Sequence, residues 1–294
     1  MLIIGTLVFF LLAPASGHGK TIGNTDSDLR LPKNFGEVVY QQHRDRGDRD
    51  NRIYIIAQSH RSAISGEEND GCQEVQAEIY RIGEWLIANE KVDSLLPEGY
   101  FSDPSSDSGL KPIRTRGELR QFEKLDDVKL AALLSNKTSF VNADRLLYDT
   151  YDLALHQIED RKLFFTVVDQ LRTLLSNSPW QQNDPTTLPS LLYHQKKRSA
   201  VILENIPGAL TDKNSEDGNP VRIHRAMLTI GLSHVDTMID FLKNGKAQIL
   251  PPPGMEDRIK EYTCELNSVT ESYAVFFIIP RALKGSRERL RYRN

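Results

Sequence analysis

An α/β fold with a central, largely parallel sheet is predicted by three observations. Short, dense apolar runs such as RIYIIAQ at 52–58 and AMLTIGL at 226–232 alternate with longer segments of helical spacing. Runs without polar alternation are what strands covered on both faces show. The order strand, Ser-His, helix, strand also occurs twice, and such units favour right-handed crossovers and parallel neighbours.

The elements follow in order. LIIGTLVFFLLA at 2–13 is shorter than the roughly 20 residues a spanning helix needs. It runs into Ala13-Pro14-Ala15, a small-x-small site of the kind signal peptidases cut, so 1–15 reads as a signal peptide. An uncleaved anchor is the alternative, because no Lys or Arg precedes the run. Residues 16–50 read as a polar leader containing HRDRGDRD at 43–50, and 51–280 as a single domain. Within it, 52–58 is a buried strand. Val75, Ile79, Ile82, Trp85, Leu86 and Ile87 mark a helix, and VDSLLPEG at 92–99 is a short strand ending at Pro97-Glu98-Gly99. Residues 102–117 form a Ser-, Asp-, Gly- and Pro-rich loop, and 118–134 is helical.

TSFVNA at 138–143 reads as a third strand. Residues 145–176 are one or two helices, broken at Asn177-Ser178-Pro179, and 190–210 is another helix. A strand at 226–232, a helix at 235–243, a strand at 247–250 closed by three prolines and a last strand, SYAVFFIIP at 272–280, complete the domain. The basic residues of 281–294 read as a solvated tail.

Composition narrows the function. With 37 Lys and Arg against 40 Asp and Glu the formal charge is -3, which does not suit a nucleic-acid binder. Two Cys exclude a disulfide-rich scaffold and a Cys-based zinc ribbon. Export to the periplasm or the exterior places Cys72 and Cys264 where a disulfide is permitted, so a bridge and two thiols both stay open. Asn136-Lys137-Thr138 is a glycosylation sequon only in a eukaryotic secretory route. No G-x-S-x-G elbow, Walker A loop, G-x-G-x-x-G turn or H-E-x-x-H pair is present.

Four side chains share one topological position, just beyond the C-terminal end of a predicted strand. They are His60, Glu98, Asp144 and His234. In open α/β sheets ligands bind at that edge. Two imidazoles and two carboxylates suit a divalent metal with a position left for water, whose pKa the metal lowers. Glu98 or Asp144, where not a ligand, is the general base. Each has an ordinary reading too: a packed structural His, a turn residue for Glu98, a helix N-cap for Asp144. Arg198, in a helix with an apolar face, points a planar cation at a substrate carboxylate or an oxyanion, unless it belongs to the solvated Lys196-Lys197-Arg198 patch. Glu204-Asn205 would orient it, and Tyr100 and Phe101 would line the pocket.

These features resemble one superfamily, the TraB, Tiki, erythromycin-esterase and ChaN-like group. Gly231-Leu232-Ser233-His234 matches its G-x-x-H motif, with the helix VDTMIDFL following. Ala57-Gln58-Ser59-His60 is a degenerate first copy with Ala for Gly. Glu98 stands where the group has its Glu after the second strand, Asp144 where a second Glu is common, and Arg198 in its helix motif. The resemblance covers residues 50–250. It implies an α/β or α+β fold with a central sheet and helical insertions, and members include metal-dependent peptidases, macrolide esterases and haem-binding lipoproteins. With the signal peptide and the four strand-end residues, the expectation is an exported, metal-dependent hydrolase of an ester or amide bond in a small molecule or peptide, with His60, His234, Glu98 and Asp144 as metal ligands. A haem- or iron-ligand-binding protein without turnover is the alternative it implies.

Overall fold

The computed structural model describes residues 29–43, 51–59, 71–101, 124–135, 142–176, 186–211 and 224–285. The expected signal peptide, His60, the 102–117 loop, the sequon, the helix break at 177–179 and most of the basic tail lie outside them. The strands in chain order are β1 (Gly36–Gln42), β2 (Arg52–Gln58), β3 (Ser94–Pro97), β4 (Ala154–Leu155), β5 (Arg225–Gly231), β6 (Lys246–Ile249), β7 (Tyr262–Glu265) and β8 (Ala274–Pro280). The helices are α1 (Cys72–Glu90), α2 (Asp127–Leu134), α3 (Ala143–Thr150), α4 (Arg161–Ser176), α5 (Thr187–Leu210), α6 (Leu232–Asn244) and α7 (Asn267–Thr270). No described helix is long and apolar enough to cross a membrane.

Six strands form a mixed α/β core in the order β1-β8-β2-β5-β3-β4. All neighbours are parallel except β1, which runs antiparallel to β8 at the edge. Ile53, Tyr54, Ile55, Ile56 and Ala57 of β2 are each 0 % exposed, as the unbroken apolar run requires of a central strand. At about 1.5–3 kcal/mol for each large aliphatic or aromatic side chain, this strand is a main contributor to stability.

The chain crosses the sheet twice in each direction. From β2 to β3 and on to β4 it moves one way, through α1, α2 and α3. From β4 to β5 and on to β8 it moves back, through α4, α5 and α6. Right-handed crossovers put these two groups of helices on opposite faces. The packing agrees: α1 touches α2 and α3, while α5 touches α4 and α6. The helices that follow the adjacent strands β2 and β5 therefore lie on opposite faces. Their C-terminal ends form the switch point of a doubly wound sheet, where ligands bind in folds of this kind.

Several elements depart from the sequence reading. The polar leader expected at 16–50 contains β1, whose half-buried GEVVYQQ pairs on one side only; a strand at an edge has little need of an apolar run. Asn142 and Ala143, expected in a third strand, instead begin α3, where the Asn142 side chain accepts a hydrogen bond from the Arg145 backbone N–H at 3.0 Å. The sheet's outer position belongs to β4, a two-residue strand between α3 and α4, too short to carry any periodicity. The strand closing the second strand-helix-strand unit, β6, leaves the central sheet and pairs antiparallel with β7 in a two-stranded sheet. Leu283, at the start of the expected tail, is buried in a 3-10 turn at Arg281–Leu283 that packs on α1.

α1 lays Val75, Ile79, Ile82 and Leu86 into the core. Its Gly83 marks the close approach of α3. A Cβ at that position would lie 2.5 Å from Leu147 Cδ1, and Leu147 is itself fully buried. Gly83→Ala gains roughly 1 kcal/mol of helix propensity but overpacks at a cost of about 1–3 kcal/mol. We expect it to lower the midpoint of urea unfolding in the native background and to raise it in a Leu147→Ala background. The same sign in both backgrounds would remove this account of the contact.

Candidate active site

Glu98, His234 and Arg198 come together at the switch point. Glu98 directly follows β3, held there by its own backbone N–H donating to the Thr229 carbonyl of β5 at 3.2 Å. Its Oε2 accepts from the Gly231 backbone N–H at 2.6 Å, at the first turn of α6. A carboxylate at a helix N-terminus is stabilised by the exposed N–H groups and the helix dipole. Gln58, which ends β2 opposite Gly231 in the ladder, approaches the same oxygen with its Nε2 at 3.5 Å. Glu98 Oε1 accepts from Arg198 Nη2 at 2.7 Å.

Arg198 does not belong to a solvated patch. It is 6 % exposed, turned inward while its neighbour Lys197 places Nζ 4.9 Å from the Tyr262 ring. Glu159 grips it side-on: Arg198 Nε donates to Glu159 Oε2 at 2.8 Å, and Nη2 to Glu159 Oε1. A face of the guanidinium lies over Phe164, with Cζ 4.7 Å from the ring centroid. Burial alone would lower the pKa of this group. The charges of Glu98 and Glu159 outweigh that and hold it above its ordinary value. The side-on edge is spent on Glu159 and one prong of the end-on edge on Glu98. Nη1, the other prong, makes no hydrogen bond among the described residues.

Glu159 was not anticipated from sequence. It lies between β4 and α4, is 3 % exposed, and also accepts from the Gly99 backbone N–H at 3.1 Å. Its loop is tied down by Asn205, whose Nδ2 donates to the Ile158 carbonyl at 2.8 Å. Asn205 therefore positions Arg198 through Glu159, whereas its neighbour Glu204 accepts from the Tyr262 hydroxyl at 2.6 Å. The only signal in the sequence was an acid shortly after a strand that could not be seen.

His234 sits in the first turn of α6, 5 % exposed. Its Nδ1 lies 2.8 Å from Ser199 Oγ, and the same hydroxyl donates to the Gln195 carbonyl at 3.1 Å. A hydroxyl has one proton, and a carbonyl can only accept. Ser199 therefore accepts from Nδ1–H, which assigns the ring proton to Nδ1. Nε2 faces Glu98 Oε1 across 3.9 Å, too long for a direct hydrogen bond.

Asp144 lies on α3, 2 % exposed, with both carboxylate oxygens accepting from the Thr229 hydroxyl at 2.9 and 2.8 Å. The cap of that helix is Asn142, not Asp144. Thr229 pairs with Pro97, the residue before Glu98, so Asp144 borders the same sheet edge. Among the described residues, no group of three or more His, Cys, Asp or Glu side chains gathers as a metal site. Of the four expected ligands His234 and Glu98 face each other, and His60 lies outside the described residues. Cys72 and Cys264 are buried and unbridged. Phe101 is buried, and Tyr100 is half-buried, its phenol pushed above its ordinary pKa by burial.

Removing one member of a buried ion network leaves its partners charged without compensation, at a cost of about 3–5 kcal/mol. Arg198→Met should therefore cost that much, measured from the urea midpoint at constant slope. Arg198→Lys should recover less than half, because an ammonium cannot hold Glu159 with two parallel bonds. A loss below about 1 kcal/mol for Arg198→Met would mean that the network does not support the fold.

Comparisons of this chain with protein-family profiles, with curated proteins and with solved structures gave no match.

Proposed function

We propose that this chain is an exported hydrolase of an ester or amide bond, with His234 as the base that activates water. The observation that carries the reading is the convergence of His234 Nε2 on Glu98 Oε1, 3.9 Å apart, at a carboxylate that Arg198 also holds. A water about 2.8 Å from each atom fits the 3.9 Å separation. One of its protons points to Nε2 and the other to Glu98. Its oxygen attacks the substrate carbonyl carbon as His234 takes the first proton. The carbonyl oxygen receives the displaced electron pair and is met by the N–H groups of Arg198 Nη1. When the tetrahedral intermediate collapses, His234 returns its proton to the departing alkoxide or amine. Ser199 holds the ring in the tautomer this requires, and Gly231 and Arg198 hold Glu98.

The resemblance of Gly231-Leu232-Ser233-His234, Glu98 and Arg198 to the TraB, Tiki and erythromycin-esterase group supports the same reaction class. The apolar run at 2–13 and Ala13-Pro14-Ala15 support export, so the N-terminus of the mature protein should be Ser16. A water bound to a divalent metal would draw on His60 and Asp144 as further ligands, and a chelator separates the two routes.

Purified protein should hydrolyse members of a panel of 4-nitrophenyl esters and peptide 4-nitroanilides. His234→Gln should lower kcat/KM by about 100- to 10,000-fold, the range for loss of a general base. Turnover should survive dialysis against a chelator. Wild-type rates in His234→Gln, or no turnover of any member, would overturn the assignment. Activity lost to the chelator and restored by zinc would transfer the activation of water to a metal.

A further inference from the structure

We infer that Phe101, Phe164 and Phe165 form the apolar subsite of this centre, and that the substrate carries an aromatic or branched apolar group beside its scissile carbonyl. The inference rests on the hydrolase reading above and names its substrate class. Three rings meet here. Phe101 and Phe164 centroids are 5.3 Å apart edge-on, Phe164 and Phe165 5.3 Å edge-on, and Phe101 and Phe165 6.0 Å in a stacked pair. The group stands apart from the main hydrophobic core. Phe101 is sealed at 4 % exposure, but Phe164 and Phe165, at the start of α4, are left half-buried, with Arg161 Cζ 5.9 Å from the Phe165 ring centroid. Packing for stability alone favours closing such a cluster. An apolar face left open next to convergent polar groups is the usual make-up of a ligand site.

Its place relative to the chemistry is set by the chain and by side-chain contacts. Phe101 is carried by the same turn as Glu98. Phe164 lies under the guanidinium of Arg198, which itself binds Glu98 and Glu159. A carbonyl oxygen on Nη1 lies close to the guanidinium plane, because the N–H groups point within it. The substituent on that carbonyl then runs alongside Phe164, whose far neighbour Phe165 extends the wall. A flat or branched apolar group gains ring contacts there, whereas a methyl group is too small to reach them.

The test compares 4-phenylbutyramide with acetamide by isothermal titration, and 4-nitrophenyl phenylacetate with 4-nitrophenyl acetate by kcat/KM. Wild-type protein should prefer the phenyl member of each pair by at least about tenfold, the discrimination a hydrophobic pocket provides. Phe165→Ala, which removes the ring under Arg161 and keeps the one under Arg198, should reduce that preference about tenfold. Phe165→Leu serves the same comparison if the alanine variant does not fold. His234→Gln should keep the binding preference. Equal binding of both amides by wild-type protein, or an unchanged preference in the Phe165 variants, would overturn the subsite. A binding preference without turnover of any ester upholds the subsite and removes the hydrolase reading. Turnover indifferent to the acyl group does the reverse.

Discussion

A guanidinium closed off from water must be given anions, and the carboxylates that surround Arg198 must be given a cation. This mutual requirement joins three elements far apart in sequence. Glu98 comes from the end of β3, Glu159 from the loop after β4, and Arg198 from the middle of α5. Two carboxylates on one cation leave the cluster rich in negative charge. The N–H groups of Gly99 and Gly231 accordingly turn toward it, and part of the balance comes from fixed backbone dipoles. Such a network is costly to assemble and more costly to leave half assembled. What it secures is one orientation for Glu98.

The sheet explains why these residues meet. β2 and β5 are adjacent but are followed by helices on opposite faces, so their C-terminal ends form the switch point of the sheet. β5 contributes Thr229 and Gly231, and the first turn of α6 adds His234. β3, on the other side of β5, contributes Glu98. The ladder is continuous through Pro97 and Thr229, so the carboxylate is set against the start of α6 by backbone pairing. Asp144 reaches the same edge from the opposite face through Thr229.

Rigidity in this arrangement is uneven, and the unevenness is chemically useful. Arg198, Glu159 and Ser199 have their principal bonds made within the protein. Between His234 Nε2 and Glu98 Oε1, by contrast, there is a gap of 3.9 Å. Helix α4 belongs to the same pattern. It packs chiefly on α5 and shows half-buried phenylalanines at its start, beside the charged cluster around Arg198.

The local sequence was sufficient for elements whose burial is complete or one-sided. β2, β5 and β8 were legible because strands covered on both faces must be apolar throughout. α1, α5 and α6 were legible because each keeps an apolar stripe. Glu98, His234 and Arg198 could be singled out since each adjoins such an element. The edge strands escaped notice: β1 is half solvated, and β4 has two residues. With β4 unseen, Glu159 had no strand end to belong to. The tautomer of His234 depends on Ser199, 35 residues away, and on the Gln195 carbonyl behind it. The chain by itself thus determined which segments must be hidden from water, a property each segment carries alone. Pairing partners, charge compensation and ring orientation were decided only in three dimensions, because each is a relation between groups that no local composition records.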